Sequence, residues 1–564
     1  MKTNQILLLA LAVVAVAAIV GDGHSHRARS QAGGSLWKTQ FGTTGDDAIG
    51  CVATDSQGNL IVAGGTSGTL FATNAGGDDI FIVKYGPGGN RLWTKQFGTP
   101  KDEDPSTVTV DRSDNVYAVG STEGDLFSSK GGMSHNAFIV KYDASGDQLW
   151  AKQFGTSDCG ADGAAVDGQN NVYVVGDTSG SLFGPNLDTA DPTSYDVFLA
   201  KYDSNGTLLW AKQFGGPGND LPGQVAVDGQ GNAYVAGGTD QLFGPATGDD
   251  QAFLAKFGPD GSLLWGKKFG GPYKSFATSV CLDGSGSAYV AGYNSTDPSA
   301  SEFSRNGFVA KYDTNGNQVW SKQIITTGGV IPRTICSDRQ GNLVLVGSTK
   351  GNLFAPNAGD KDIFVAKYSV NGQALWSTQY GTVGQDEANN VTADNQGYVY
   401  VVGGTTGDLF ASNSGGEDAF IQKISPSGQV VSARPHESSP YKPLLFAWSG
   451  QNISLNYPPL LVNRQPYAYV GYLCSGIPGA RVQRLAAGWI AIEGHGKQVV
   501  IDPHSLIYQF NGKTHKMSAK SVLVNGRWYV PLDVMKAVLP YPVSYEAQAQ
   551  RIRFDPPQVK RASR

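Results

Sequence analysis

Trp37-Lys38-Thr39-Gln40-Phe41-Gly42 is the first copy of a short pattern, Trp-x-Lys-Gln-Phe-Gly in its fullest form, that returns six more times. Its tryptophan recurs at 93, 150, 210, 265, 320 and 376, with spacings of 56, 57, 60, 55, 55 and 56 residues, so seven of the ten tryptophans hold one repeating position. Self-similarity at a fixed period of this length marks a solenoid, an array or a propeller.

Around each tryptophan the unit reads as four short strands. The first is built of small residues and runs into an aspartate, as in Val108-Thr109-Val110-Asp111 or Val225-Ala226-Val227-Asp228. A tight turn such as Gly229-Gln230-Gly231-Asn232 leads to an alternating second strand, Ala233-Tyr234-Val235-Ala236-Gly237. A glycine-rich loop follows, with a Leu-Phe pair in most copies: Leu70-Phe71, Leu126-Phe127, Leu182-Phe183, Leu242-Phe243, Leu353-Phe354 and Leu409-Phe410. The third strand is Phe-x-x-Lys-Tyr, and a second turn such as Asp203-Ser204-Asn205-Gly206 enters the Trp strand. Short β-branched and aromatic runs bounded by Asn/Asp-Gly turns are strand signals, and no apolar period of 3.6 residues extends over a helix length. Four strands per unit repeated radially predict a β-propeller, whereas the rungs of a β-solenoid need only about 20–30 residues.

Counting strands sets the blade number. The first three strands occur seven times, beginning near 48, 105, 162, 222, 277, 333 and 388, but the first Trp strand precedes the first triplet. After the seventh triplet the expected tryptophan position holds Ser432. The economical solution is a seven-bladed ring, all-β with four-stranded blades, in which the N-terminal strand Leu36 to Phe41 completes the last blade.

These units resemble the SBBP family of bacterial β-propeller repeats, on the strength of Asp55-Ser56-Gln57-Gly58-Asn59, Asp338-Arg339-Gln340-Gly341-Asn342 and the Lys-Tyr strand that follows them. The resemblance covers about 400 residues. Repeat five departs most, with Ser287 in place of Asn and Glu302-Phe303 in place of Leu-Phe, and the sixth Trp strand ends in Ile324-Ile325 instead of Phe-Gly.

Beyond residue 432 the pattern stops. Residues 433–449 read as a linker and 450–564 as a small α+β unit. Hairpins are expected from Trp489-Ile490-Ala491-Ile492 with Gln498-Val499-Val500-Ile501, within Leu523 to Val530, and from Val543-Ser544-Tyr545 to Arg551-Ile552-Arg553-Phe554, with a short helix opened by Pro531. The string Val524-Asn525-Gly526-Arg527-Trp528-Tyr529-Val530-Pro531-Leu532 looks like the copper amine oxidase N-terminal-like domain, although Asp533 stands where that family usually has arginine. The resemblance implies a stalk-like accessory module; the oxidase's catalytic domain, with its copper histidines and cofactor-forming tyrosine, has no room here.

Residues 1–33 read as a signal peptide and leader: Lys2 precedes an apolar run of 15 residues, Ile6 to Val20, short for a membrane span of about 20 residues. Ala15-Val16-Ala17 has the small-x-small form of a cleavage site, and a retained anchor beside the basic His24 to Arg29 stretch is the alternative. Export to the cell surface or medium is therefore expected. Charged residues are 16% of the chain and the net charge is −5, which argues against a nucleic-acid partner. Cys51, Cys159, Cys281, Cys336 and Cys474 show no paired spacing; Cys51, Cys281 and Cys336 lie in corresponding short apolar segments of three repeats and read as small buried hydrophobes.

Catalysis finds no candidate constellation, because nucleophile elbow, P-loop, HExxH and dinucleotide fingerprint are all missing. His495, His504 and His515 stand 9 and 11 residues apart, which fits no metal-ligand pair. Acids recur more regularly. Asp79, Asn136, Asp196, Asn306, Asp362 and Asp418 precede the Phe-x-x-Lys-Tyr strands, and Asp46, Asp47, Asp102, Glu103, Asp220, Asp386 and Glu387 follow the Phe-Gly position. In a ring they would form a circle of carboxylates at one face, with Asp79, Asp196, Asp362 and Asp418 as weak calcium candidates; capping of turns is the competing and stronger reading. The lysine recurring in Phe-x-x-Lys-Tyr signals a rule of blade construction. The expectation is a monomeric, non-catalytic binding or scaffold protein without cofactor, whose partner is an extracellular protein or glycan. The alternative is a calcium-dependent propeller enzyme acting on glycans or lactones.

Overall fold

The computed structural model describes residues 36–430, apart from 130–133, 189–190, 192–193, 245–249, 298–300 and 302–303, and the backbone strands between 441 and 554. The leader at 1–33, residues 431–440 and the helix expected after Pro531 lie outside the described residues.

Seven four-stranded antiparallel sheets form the propeller. Blade 1 runs through strands a to d at Asp47–Thr54, Leu60–Thr66, Asp79–Tyr85 and Arg91–Phe97, and blades 2 to 6 repeat this order. Blade 7 takes strands a to c from Asp386–Ala393, Val399–Thr405 and Asp418–Ile424 and its outer strand from Lys38–Phe41. The register is Lys38↔Gln422, Thr39↔Ile421, Gln40↔Phe420 and Phe41↔Ala419. The N-terminal strand thus closes the ring, as the displaced tryptophan predicts. The last described residues still begin the abandoned outer strand, since Val430 makes a single antiparallel bridge to Ile424.

Each conserved element of the pattern has a physical task. In the a–b turn, Asp55 Oδ1 accepts the backbone N–H groups of Gln57 and Asn59 at 2.9 and 2.8 Å, and Gly58 takes a φ of 78°. Strands b and c are buried along most of their length, because they lie between neighbouring blades; strand c of blade 1 is buried throughout and strand b at every residue but Gly65. The third-strand lysines are blade-building groups too. Lys84 pairs with Asp55 at 2.9 Å and Lys367 with Asp338 at 2.8 Å, both nearly inaccessible, and blades 2 to 5 repeat the pair at 3.2–3.5 Å.

The tryptophans join one blade to the next. Every Nε1 donates to a carbonyl in the c–d turn of the following blade, at 2.9–3.3 Å: Trp93 to Ala144, Trp150 to Ser204, Trp210 to Pro259, Trp265 to Thr314, Trp320 to Val370, Trp376 to Pro426 and, across the closure, Trp37 to Pro87. A continuous apolar cluster crosses that closure, with Ile49, Leu60, Phe81 and Val83 of blade 1 against Tyr400, Val402, Ala419 and Ile421 of blade 7.

The strands after 441 form three further sheets, of five, four and five strands. The expected hairpins are present: Ile490–Gly494 with Lys497–Ile501, Val522–Val524 with Arg527–Pro531, and Val543–Glu546 with Arg551–Phe554. Among the described residues no helix is long and apolar enough to cross a membrane.

Candidate functional site at the channel mouth

Strand a of every blade carries an irregularity near its middle, for example between Ile49 and Cys51, Ala161 and Gly163, and Ala388 and Asn390. A bulge of this kind bends the strand and re-aims a side chain. Here the extra residues reach the next inner strand: Asn389 donates to Ile49 O at 3.1 Å and Thr278 to Pro332 O at 3.1 Å. At the end of the blades where strands a and c begin, blades 7, 1 and 2 enclose a cavity of about 510 Å³.

Its lining is acidic. Asp46, Asp47, Asp78, Asp102, Glu103, Asp104, Glu123 and Glu417 surround it, with His135, Asn389 and Ser121. The turns after the Phe-Gly position supply Asp46 and Asp102, each of which also ties two blades together. Asp46 Oδ1 accepts the N–H of Glu417 and Asp102 Oδ1 that of Asp78, both at 3.0 Å. His135 Nε2 lies 3.2 Å from Glu123. Burial, reinforced by Glu387 and Asp46, pushes Glu417 up to about 7. Asp78 is also raised, first by desolvation and then by Asp102, Asp46, Asp104 and Asp47. The acidic character continues into blade 3, where burial and then Asp177 and Asp104 hold Asp162 well above the ordinary carboxylate range. Crowded carboxylates of this kind focus a negative potential and favour cationic groups.

Next to this cavity, the seam between blades 6 and 7 is balanced differently. Glu387 is paired with Arg333 at 3.1 Å and with Lys361 at 2.6 Å, and Lys350 with Asp360 at 2.9 Å. In blade 5 the Arg305 guanidinium lies 4.4 Å from the centre of the Tyr293 ring, which stacks on Phe276.

The circle of carboxylates expected from the sequence therefore divides into two sets. Asp46 and Asp102 are exposed at the mouth. Asp79, Asp196, Asp362 and Asp418 are fully buried within their blades, each accepting a hydrogen bond from the glutamine of the outer strand: Gln96, Gln213, Gln379 and Gln40, at 2.8–3.0 Å. Asp47, Glu103, Asp220 and Asp386 are buried beside them. Among the described residues no three His, Cys, Asp or Glu side chains gather closely enough to hold a metal ion. His495 and His504 lie outside the described residues, and His515 falls in the strand Lys513–Lys516. Cys51 and Cys159 are buried and Cys281 and Cys336 half-buried, all four as free thiols, and burial raises Cys51 far above an ordinary thiol. Asp78, Asp104, Glu123, His135 and Glu417 escaped sequence reasoning. Their signal was inverse: they fall where the repeats disagree.

Comparison with known proteins assigns the two parts of the chain. Residues 92–128, 209–244 and 375–411 match the SBBP beta-propeller repeat, and residues 447–554 match the copper amine oxidase N-terminal domain. The chain joins beta-propeller repeats to a copper amine oxidase N-terminal domain. An uncharacterized WD repeat-containing protein of Acanthamoeba polyphaga mimivirus is 24% identical over 65% of this chain and 36% of its own length. The regulatory protein FlaEY of Caulobacter vibrioides is 25% identical over 27% of this chain and 17% of its own. The chain thus spans well under half the length of these curated relatives. Among solved structures, the Pan2 WD40 domain of Neurospora crassa is similar at 11% identity and a TM-score of 0.40, covering 70% of this chain and 97% of that one.

Proposed function

We propose that the chain is an exported, non-catalytic binding protein of the bacterial cell envelope that holds a cationic ligand at the acidic mouth of its propeller. The observation that carries this reading is where the repeats vary. The tryptophan, the third-strand lysine and the turn glycines recur because they build blades. The position after the start of strand a holds Ala48, Asp104, Gly160, Leu221, Phe276, Ile331 and Glu387 in turn. The position just before the buried acid or amide of strand c holds Asp78, His135, Tyr195, Asp250, Arg305, Lys361 and Glu417. Both sets belong to the same end of the blades, and a rigid scaffold that concentrates its variation at one face is arranged for recognition. Export is supported by the apolar leader, and absence of catalysis by the lack of a nucleophile–base constellation in the sequence. The competing metal-dependent enzyme would need ligands gathered at one point, whereas the mouth carboxylates are spread round a cavity wide enough for an extended ligand.

The test is binding of fluorescent Lys/Arg-rich, neutral and Asp/Glu-rich peptides, and of a glycan array, to the full-length chain. The cationic probes should bind, weaken as salt rises, and be lost from the triple variant Asp46→Asn/Asp78→Asn/Asp102→Asn. Equal binding by the triple variant, or binding confined to neutral or acidic probes, would sink the reading.

A further inference from the structure

Between one blade and the next, the residue opening strand c meets the residue opening strand a of the following blade, on either side of the residue after the outer-strand Phe. The identities at the two places are correlated. At four seams both are acids: Asp418 with Asp47, Asp79 with Glu103, Asp196 with Asp220 and Asp362 with Asp386. At the other three neither is: Asn136 with Cys159, Gln251 with Ser275 and Asn306 with Val330. Acids never occur singly. Electrostatics alone would favour the opposite, since two ionised carboxylates buried side by side repel.

All eight acids are buried, at no more than 1% exposure. A methyl group built on Gly42 would stand 2.2 Å from Asp418 Oδ1 and 3.1 Å from Asp47 Oδ2. Gly98 meets Asp79 Oδ1 and Glu103 Oε2 in the same way, Gly215 meets Asp196 Oδ1 and Asp220 Oδ2, and Gly381 meets Asp362 Oδ1 and Asp386 Oδ2. Both carboxyls of a pair therefore converge on one glycine. Most of their other lone pairs are taken. Asp418 Oδ2 accepts from Gln40 and Ser414 N, while Asp47 accepts from the N–H and Oγ1 of Thr43 and from Thr66. What is left over is Oδ1 of Asp418 at one seam and Oδ1 of both Asp196 and Asp220 at another, buried and without a hydrogen-bond partner, whereas Oδ1 of Asp79 and of Asp362 shares the N–H of Ala75 and of Ala358. So few free oxygens, with the remaining ones already engaged by neighbouring donors, leave room for a proton and too few ligand atoms for a metal ion.

We propose that each of these four seams holds one proton between its two carboxyls, so that the ring takes up protons on closing and is clasped more tightly in mild acid than in alkali. The carboxyl O–H of one acid points at the carboxylate of the other, and no group is oxidised or transferred. Unfolded, both acids are ionised at neutral pH. Folded, burial pushes Asp220 up to about 7, with Asp196 and Asp240 adding to it, and Asp386 to about 6, with Asp362 adding to it. Glu103 and Asp418 are raised for the same reason, reinforced by Asp79 for the first and by Asp47 and Asp408 for the second. The other polar groups facing the pairs are Thr99 and Thr122 at Glu103, Thr239 at Asp220, and Thr382, Thr405 and the Tyr380 hydroxyl at Asp386. Glu417 also acts against Asp386. A folded pKa above the unfolded value gives stability that is complete below the unfolded pKa and lost as pH rises through the folded one.

Thermal melting of the full-length chain from pH 5 to 8.5, with and without Asp196→Asn/Asp418→Asn, tests this. An amide already stands at the same position in blades 2 and 5, as Asn136 and Asn306. The wild-type midpoint should fall as pH rises, and the double variant, in which two of the four seams keep a single carboxylate facing an amide, should lose about half of that slope and melt higher than wild type at pH 8.5. An unchanged slope overturns the proposal. So does a wild-type midpoint at pH 8.5 that calcium raises and the variant does not share, which would make the seam a cation site. Should the variant fail to fold, the infrared band of protonated carboxyl in the wild type decides: it must be present at pH 6 and lost by pH 9, and its absence at pH 6 refutes the clasp.

Discussion

Trp37 Nε1 donates to Pro87 O at 3.1 Å, across 50 residues of chain and across the junction where the ring begins and ends. The same tryptophan lies 5.9 Å from the Tyr85 ring centre and 6.2 Å from that of Tyr400, so it touches blade 1 and blade 7 together. Of the seven equivalent tryptophans it alone sits on a strand separated in sequence from the rest of its blade. Trp37→Phe keeps the apolar body and loses the hydrogen bond, a cost of about 1 kcal/mol. Trp37→Ala should cost about 3 kcal/mol, and removing residues 34–42 should cost more and lower the cooperativity of the transition. Urea unfolding followed by fluorescence checks all three. A truncated chain that unfolds like wild type would rule out closure by the N-terminal strand.

The partner of that tryptophan must be glycine at one position. Gly89 has a φ of 86°, and a Cβ there would stand 2.7 Å from the Trp37 ring. Gly89→Ala therefore combines left-handed strain with a steric clash, and should destabilise by about 2 kcal/mol or more. Gly65 is the control, because a Cβ there meets nothing within 4 Å. Gly65→Ala, in a strand, should be neutral or slightly stabilising in the same denaturation assay.

Acid acts on a different set of groups. Burial raises Asp55 and Asp338, but the side-chain bonds from Asn59 and Lys84 in the first case, and from Lys367 and Asn342 in the second, overcome it and leave both below the ordinary value. A depressed folded pKa gives stability that is present above the unfolded pKa and lost as pH falls through the folded one. The turn aspartates therefore set the acid limb, below about pH 4, and the seams the alkaline one. Lys84→Met leaves Asp55 buried and unpaired, which should cost about 3 kcal/mol at pH 7 and less at pH 3, where Asp55 can protonate. A penalty independent of pH would mean that Lys84 acts through packing alone.

Blade number, closure and strand order were legible in the sequence because each rests on groups repeated seven times. Trp37, displaced from its own blade, was enough to locate the last strand. The buried pairing of Lys84 with Asp55 was half legible: both residues recur, but nothing in their spacing says that they meet. The cavity was not legible. Asp78 and Glu417 differ from Arg305 and Lys361 at the equivalent position, and a pattern search discards variation. Asp79 shows the converse. Its recurrence invited a metal reading, although what the repeat preserves there is a buried acceptor for Gln96.

Gln96 gives the sharpest separation of blade building from recognition. Its Oε1 accepts the N–H groups of Leu70, Phe71 and Ala72 at 2.7–3.1 Å, and its Nε2 donates to Gly68 O and to Asp79. One side chain thus replaces the strand bonds that the b–c loop cannot make for itself, and holds Phe71 against Phe81, ring centres 5.7 Å apart. Gln96→Ala leaves several buried or half-buried groups unsatisfied, at about 1–3 kcal/mol each before relaxation or water entry. Such a loop opens locally before the blade unfolds. Limited proteolysis should therefore cut Gln96→Ala between residues 69 and 78 while the far blades keep their protection. Glu123→Gln, at the neighbouring mouth, should leave that cleavage pattern unchanged and weaken only the binding of cationic probes. Cleavage spread evenly over all seven b–c loops would show that the loop clamp and the ring are one cooperative unit.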